Sequence, residues 1–130
     1  MTPEEIQLVA EVIDRLDGRP EFADRFYERL FVAAPQTQAM FPDVAAQRLK
    51  LTAELASMVS MLGNLDTLEA RARDLGARHR GYGVRASHYR LAREVMAAAL
   101  ADVLGDEFGP DEAAAWNRAT SLITELMMSA

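Results

Sequence analysis

The polar side chains most suited to chemistry interrupt helix faces that are otherwise apolar. His79 shares one face with three apolar side chains at three- and four-residue spacing: Leu68, Ala72 and Leu75. Gln47 opens a second face, which continues through Leu51, Leu55, Met58 and Leu62. Burying a polar side chain costs free energy unless it finds a partner. Two such interruptions on different helices indicate that a shared polar object lies between them, although a lone histidine on an apolar face is more often a packed core residue.

The composition limits what that object can be. The chain has no cysteine and only two histidines, which excludes disulfides, thiolate metal sites and cysteine nucleophiles. A net charge of −6 argues against a nucleic-acid partner. The acidic start of the chain does not resemble a signal peptide, and no apolar run approaches the ~20 residues that a membrane span needs. We therefore expect a cytoplasmic protein without a membrane partner.

The elements that position these residues are predicted to be all helical. The 130 residues suit a single domain, residues 1–130. Strand signals are nearly absent, and glycine or proline separates the helical stretches. Thr2, Pro3 and Glu5 form a capping box that starts the first helix. The pattern predicts six main helices over about 3–16, 20–32, 44–62, 66–80, 87–104 and 110 onward, with a short helical turn from Pro35 to about Phe41.

Several segments, in order along the chain, resemble single-domain bacterial globins, which are related to the haem domain of flavohaemoglobins and more distantly to neuroglobin. Leu75–Tyr89 resembles the proximal-histidine helix and the corner after it. Phe26–Phe31, followed by Pro35 and Phe41, resembles the second helix and its corner. Ala115–Asn117 resembles the start of the last helix. The resemblance covers nearly the whole chain and implies an all-α globin fold around a haem slot.

Carried over residue by residue, the resemblance assigns the centre of the site. His79 matches the proximal iron ligand, and Phe41 matches the phenylalanine that packs on the porphyrin. Tyr27 and Gln47 match the distal tyrosine and the distal helix position, and Leu51 matches the apolar residue beside them. The stretch before Gln47 is shorter than in flavohaemoglobins. A slip in register would turn Arg48 or Lys50 toward the slot instead.

The same comparison extends the cofactor-binding set to the rim of the slot. Its further members are Lys50, Leu55, Leu75, Arg78, Val84 and Tyr89. Arg48, Lys50, Arg78 and Arg80 flank the presumed slot and are candidates to pair with haem propionates, although solvated helix charges explain each equally well. His88 is predicted not to ligate. We expect the methionines, Met58, Met61, Met96, Met127 and Met128, to fill the core.

These residues imply a definite chemistry. The backbone carbonyl of Leu75 is expected to accept a hydrogen bond from His79, which fixes the imidazole ring. Tyr27 and Gln47 are donors that could stabilise bound oxygen. Tyr89 matches the tyrosine of the flavohaemoglobin proximal network, but the glutamate of that network has no counterpart before Ala130. Less imidazolate character at His79 is therefore expected.

The resemblance therefore implies haem b and reversible binding of oxygen, with nitric oxide and carbon monoxide as further ligands. An alternative is nitric oxide dioxygenase chemistry supported by a separate electron-donating reductase, so enzymatic activity stays open. A haem-free globin module used for interaction is a third reading. The retention of His79 and Phe41, together with a small Ala72 expected to face the slot, argues against that reading.

Overall fold

The computed structural model describes residues 1–129 and is helical throughout this range. Six α-helices follow one another, α1 (Pro3–Arg15), α2 (Glu21–Ala33), α3 (Val44–Val59), α4 (Leu65–Gly81), α5 (Ala86–Leu104) and α6 (Pro110–Met128). Two 3₁₀ helices, Pro35–Met40 and Gly105–Glu107, join α2 to α3 and α5 to α6. The all-helical prediction is confirmed. No helix in the described range is long and apolar enough to cross a membrane.

Side-chain caps mark where α1, α3 and α4 begin. Thr2 accepts a hydrogen bond from the Glu5 backbone at 3.1 Å, and the Glu5 carboxylate accepts one from the Thr2 backbone at 2.9 Å. Asp43 and Asn64 cap α3 and α4 in the same way, with oxygens 3.0 Å and 3.3 Å from backbone nitrogens. The capping box expected from the sequence is therefore present.

The core holds the helices in pairs around a cavity. α4 packs on α6, α2 packs on α5, and α1 packs on both α6 and α3. The largest fully buried side chains are Trp116, Tyr27, Phe22, Leu68, Leu100, Val9 and Val12. Gly76 permits the closest approach, because a Cβ atom at this position would lie 2.0 Å from the backbone oxygen of Met127. This contact seats α4, and with it His79, directly against α6.

Candidate functional site

An apolar slot opens between α2, α3, α4, α5 and α6. It forms a cavity of about 210 Å³ that is continuous with solvent. Nine of the predicted site residues line it: Tyr27, Phe41, Gln47, Leu51, Leu55, Leu75, His79, Val84 and Tyr89. Most of the remaining wall is apolar, including Phe26, Leu30, Met58, Met96, Ile123 and Met127. The structure thus gathers side chains that lie as far apart in sequence as Phe26 and Met127.

His79 lies in the last turn of α4 and is held by its own helix. Its Nδ1 lies 2.8 Å from the backbone oxygen of Leu75, one turn earlier, as the sequence predicted. With a carbonyl as the partner, Nδ1 carries the proton and donates, so Nε2 keeps its lone pair. The ring also stacks on Tyr89, with 6.1 Å between centroids and 22° between planes. The imidazole is therefore oriented to act as a neutral nitrogen ligand.

Tyr27 and Gln47 bring polar atoms to the slot from α2 and α3. Burial raises the pKa of Tyr27 to about 12, and a hydrogen bond from the Gln47 side chain opposes part of that rise. Tyr27 is therefore a neutral hydroxyl near neutral pH. The Gln47 side chain also lines the slot beside Tyr27, so both residues can offer hydrogen-bond donors to a ligand there.

Aromatic rings hold the Tyr27 wall in place. The Phe26 and Phe41 rings meet Tyr27 edge-on, with centroids 4.9 Å and 5.3 Å away. Phe31 joins the same cluster, 5.9 Å from Tyr27 and 5.8 Å from Phe41. Edge-to-face contacts at such distances are favourable beyond the area they bury. Phe41 is therefore positioned as a rigid wall of the slot, although it follows a 3₁₀ helix rather than lying within an α-helix.

A second, more polar pocket adjoins the slot and shares Glu54, Met58 and Leu75 with it. Lys50 and Arg78, which the resemblance placed at the cofactor, line this second pocket and not the slot itself. Arg71 joins them, and the sequence analysis did not single it out. Three cations beside an apolar cavity suit a ligand that carries carboxylates.

The structure also corrects several expectations. Ala72 is fully buried, but it belongs to the core and not to the slot wall, because α4 turns this side toward its helical neighbours. Met128 is 44% exposed and is not a core residue. Gln47 lines the slot, whereas the Arg48 side chain reaches Asp24 of α2 at 3.4 Å. The alternative register is therefore not adopted. Arg80 lies outside both pockets, near enough to Tyr89 to oppose the rise that burial gives to its pKa.

Three ionisable residues of the slot were not anticipated. Glu54 lies one turn beyond Leu51, a spacing that places it on the predicted face of α3. Arg93 lies one turn beyond Tyr89 and donates to the Ser121 hydroxyl at 2.5 Å, while its Nε is buried without a partner in the described part of the chain. His88 also lines the slot, and its Nδ1 accepts a hydrogen bond from the Arg85 backbone at 2.9 Å. That bond caps the start of α5.

Residues 1–129 contain no cluster of three or more histidine or carboxylate side chains that could hold a metal ion by themselves. A metal at His79 would therefore need its remaining ligands from a non-protein group. A planar macrocycle that supplies four nitrogens meets this requirement, and it would fit between flat aromatic and aliphatic walls.

Comparison with known protein families agrees with this geometry. The family model described as Globin matches residues 24–127. The chain belongs to the globin family. The matched range contains every residue of the globin slot named above. Membership in this family, together with relatives that are haem proteins, supports haem-based gas binding by the chain.

The relatives of this globin include larger proteins. The flavohemoprotein of Bacillus subtilis is 26% identical over 125 residues, covering 92% of this chain and 31% of its own length. The flavohemoprotein of Deinococcus radiodurans is 29% identical, covering 98% of this chain and 33% of its own length. The chain thus spans about a third of the length of these relatives. Hemoglobin subunit alpha-D of Cairina moschata is 26% identical, with 98% of this chain and 96% of that protein covered.

A solved structure shares the fold of this globin over its whole length. It is the engineered carbene transferase RmaNOD, a candidate nitric oxide dioxygenase from Rhodothermus marinus. The two chains superpose with a TM-score of 0.88 at 25% identity, covering 99% of this chain and 92% of the other. The globin fold predicted from the sequence is confirmed.

Proposed function

We propose that the slot binds haem b through His79 and that the protein reversibly binds oxygen and related diatomic gases. The observation that carries the proposal is the hydrogen bond between Nδ1 of His79 and the carbonyl oxygen of Leu75. This bond leaves Nε2 as the only nitrogen of the ring able to ligate a metal. The chain has no cysteine to form thioether links, so the haem would be held without covalent attachment.

The shape and charge of the site support haem rather than a smaller ligand. The slot is large and mainly apolar, as a porphyrin plane requires. Lys50, Arg71 and Arg78 in the adjoining pocket would hold the two propionates, with Glu54 limiting how far the carboxylates could reach. Bound there, haem would supply an iron atom that accepts a diatomic gas as a ligand and exchanges one electron.

The chain's own residues would then select the ligand. Tyr27 presents a neutral O–H group to the slot, and the Gln47 amide beside it is a second possible donor. Such a donor favours a ligand that gathers negative charge, as oxygen does, over carbon monoxide. Phe26, Leu30 and Leu51 exclude water from the same region, which strengthens the hydrogen bond.

Reversible oxygen binding is testable with the purified protein. After loading with haem and reduction in the absence of oxygen, admission of oxygen should change the visible spectrum, and removal of oxygen should restore the reduced spectrum. Immediate, complete oxidation without a recoverable oxygen complex would contradict reversible binding. Carbon monoxide binding to the same reduced sample would show whether the haem site itself is intact.

Nitric oxide dioxygenase activity is the second candidate, and the names of the relatives favour it. It would convert nitric oxide and oxygen to nitrate at the same site and would need one electron per cycle from a reductant. Rapid mixing of the oxygen complex with nitric oxide should yield stoichiometric nitrate in a single turnover. Repeated turnover with an added reductase would establish the enzyme, and failure with every donor would leave gas binding as the function.

A further inference from the structure

The corner between α4 and α5 concentrates positive charge in an otherwise acidic protein. We name residues 78–90 the basic corner. They contain four arginines, both histidines of the chain and no acidic residue. The corner therefore carries +4 while the whole chain carries −6, which leaves −10 on all other residues. All four arginines are exposed, and Tyr82 in their midst is 59% exposed.

Two arginines of this corner, Arg85 and Arg90, are less compensated than most of the arginines outside it. Elsewhere, Arg15 pairs with Glu112, Arg29 with Asp102 and Arg118 with Glu5, at 3.2 Å, 2.6 Å and 3.2 Å. Within the basic corner, Arg78 lies 3.5 Å from Asp74 on an exposed helix face. Across residues 1–129, neither Arg85 nor Arg90 has an acidic side chain within 4.0 Å.

The basic corner includes His79, the proposed iron ligand, and therefore lies beside the slot. The backbone oxygen of His79 accepts hydrogen bonds from the N–H groups of Tyr82 and Val84, at 3.0 Å and 3.1 Å. Val84 in turn lines the slot, and Arg85 follows it at the surface. A partner bound at Arg85 would therefore be linked to His79 by a short stretch of hydrogen-bonded backbone.

We propose that the basic corner docks the acidic face of an electron-donating partner protein. The proposal rests on the proposed haem site and names the partner that would return ferric haem to the ferrous form, as the nitric oxide dioxygenase candidate requires. One electron would leave a reduced flavin or iron–sulfur centre of the partner and be accepted at the haem iron, with no group transferred. Exposed tyrosine and arginine are the side chains that protein interfaces favour.

The distribution of charge favours a protein partner over a nucleic acid. A duplex extends far beyond one corner, so its phosphates would also meet the acidic remainder of the surface. A compact acidic patch can approach the corner alone. Opposite charges on the two surfaces would then steer the encounter and raise its rate.

The test uses a reduced acidic flavodoxin as the probe. Binding is measured by calorimetry at low ionic strength, and reduction of the ferric globin is followed by stopped-flow absorbance. The test variant is Arg85→Gln/Arg90→Gln, which leaves the proposed haem site unaltered. The control is Arg25→Gln/Arg118→Gln, which removes the same charge from other helices. Thermal melts and the haem spectrum of each variant verify folding and loading.

We expect the corner variant to lose roughly 5- to 20-fold in both affinity and reduction rate, and the control less than about 2-fold. Added salt should slow the wild type and barely affect the corner variant. Equal losses in both variants, or none, would overturn the proposal. So would corner-dependent binding of duplex DNA or anionic vesicles without binding of flavodoxin. If the wild type binds no haem, the proposed function fails, and calorimetry still decides whether the corner docks an acidic protein.

Discussion

At the scale of single residues, two polar side chains face the slot from different helices. Tyr27 of α2 and Gln47 of α3 both line it, and both carry groups that can donate a hydrogen bond to a ligand. The periodicity of α3 was enough to predict that Gln47 faces inward. It was not enough to place Ala72, because an apolar stripe on α4 faces both the slot and the helix behind it. The sequence also did not predict that Arg93 lines the slot, because an arginine on a helix is usually exposed to solvent.

Removal of the Tyr27 hydroxyl should weaken oxygen retention. For Tyr27→Phe we expect the oxygen dissociation rate to rise about 5- to 10-fold, the loss of one hydrogen bond of about 1 kcal/mol or slightly more. Laser photolysis or rapid mixing measures the rate. Tyr89→Phe is the matched control, because it also deletes a tyrosine hydroxyl, but from the ring that stacks on His79. Equal rates in wild type and Tyr27→Phe would remove Tyr27 from the ligand's surroundings.

The pKa of Tyr27 also makes a pH-dependent contribution to stability. Burial raises this pKa from 10.0 to about 12, so the folded state holds the proton more tightly than the unfolded state. The contribution is full below pH 10 and is lost as the pH rises from about 10 to about 12. Its upper limit is about 3 kcal/mol.

Urea unfolding of wild type and Tyr27→Phe across this alkaline range measures that contribution. The stability of the wild type should fall more steeply than that of the variant, which lacks the titrating group. Burial also raises the pKa of Tyr89. Tyr89 is therefore left unchanged in both proteins, so that its contribution cancels in the comparison. Parallel curves for the two proteins would show that Tyr27 ionises as freely when folded as when unfolded.

At the scale of elements, helix starts were easier to predict than helix ends. Starts are marked by caps such as Thr2, Asp43 and Asn64, whose side chains bond to specific backbone groups. The end of α3 was placed at Leu62, but the helix ends at Val59 and a hydrogen-bonded turn follows. The 3₁₀ helix Gly105–Glu107 was not predicted, because such short pieces depend on the packing of their neighbours.

The contact between α4 and α6 sets the position of His79, and sequence alone did not show it. For Gly76→Ala we expect a loss of about 1–3 kcal/mol in the free energy of unfolding, since the new methyl group would meet the backbone of Met127. Gly63→Ala is the matched control, with no atom within 4 Å of its added Cβ. Urea denaturation compares the two. A neutral Gly76→Ala would mean that α4 can shift on α6 at little cost.

At the scale of the whole molecule, the slot offers an apolar surface to a ligand. Its wall is formed mostly by apolar side chains of α2 to α6, which a bound ligand would contact. A ligand that binds only the folded state stabilises it by mass action. We therefore expect haem to raise the melting temperature in a concentration-dependent way. Differential scanning calorimetry with increasing haem measures this effect, and an unchanged transition would argue against occupation of the slot.

The net charge of the chain does not show that positive charge is concentrated in one part of the molecule. The net value of −6 led to the expectation of no nucleic-acid partner, and it hid the +4 of residues 78–90. The corner forms because α4 and α5 meet directly after His79, at a turn where Gly83 adopts a φ of +89°. Neither the composition nor the helical periodicity predicts which charged residues lie beside the slot.

The most direct test of the central claim is the absorption spectrum of the ferrous protein loaded with haem, compared with those of His79→Gly and His88→Ala. Both histidines line the slot, so the pair of variants identifies the ligand. We expect a Soret band in the wild type and in His88→Ala, an altered ferrous spectrum in His79→Gly, and its restoration when imidazole fills the gap. Absence of a Soret band in the wild type after haem addition, or an unchanged ferrous spectrum in His79→Gly, would contradict the assignment.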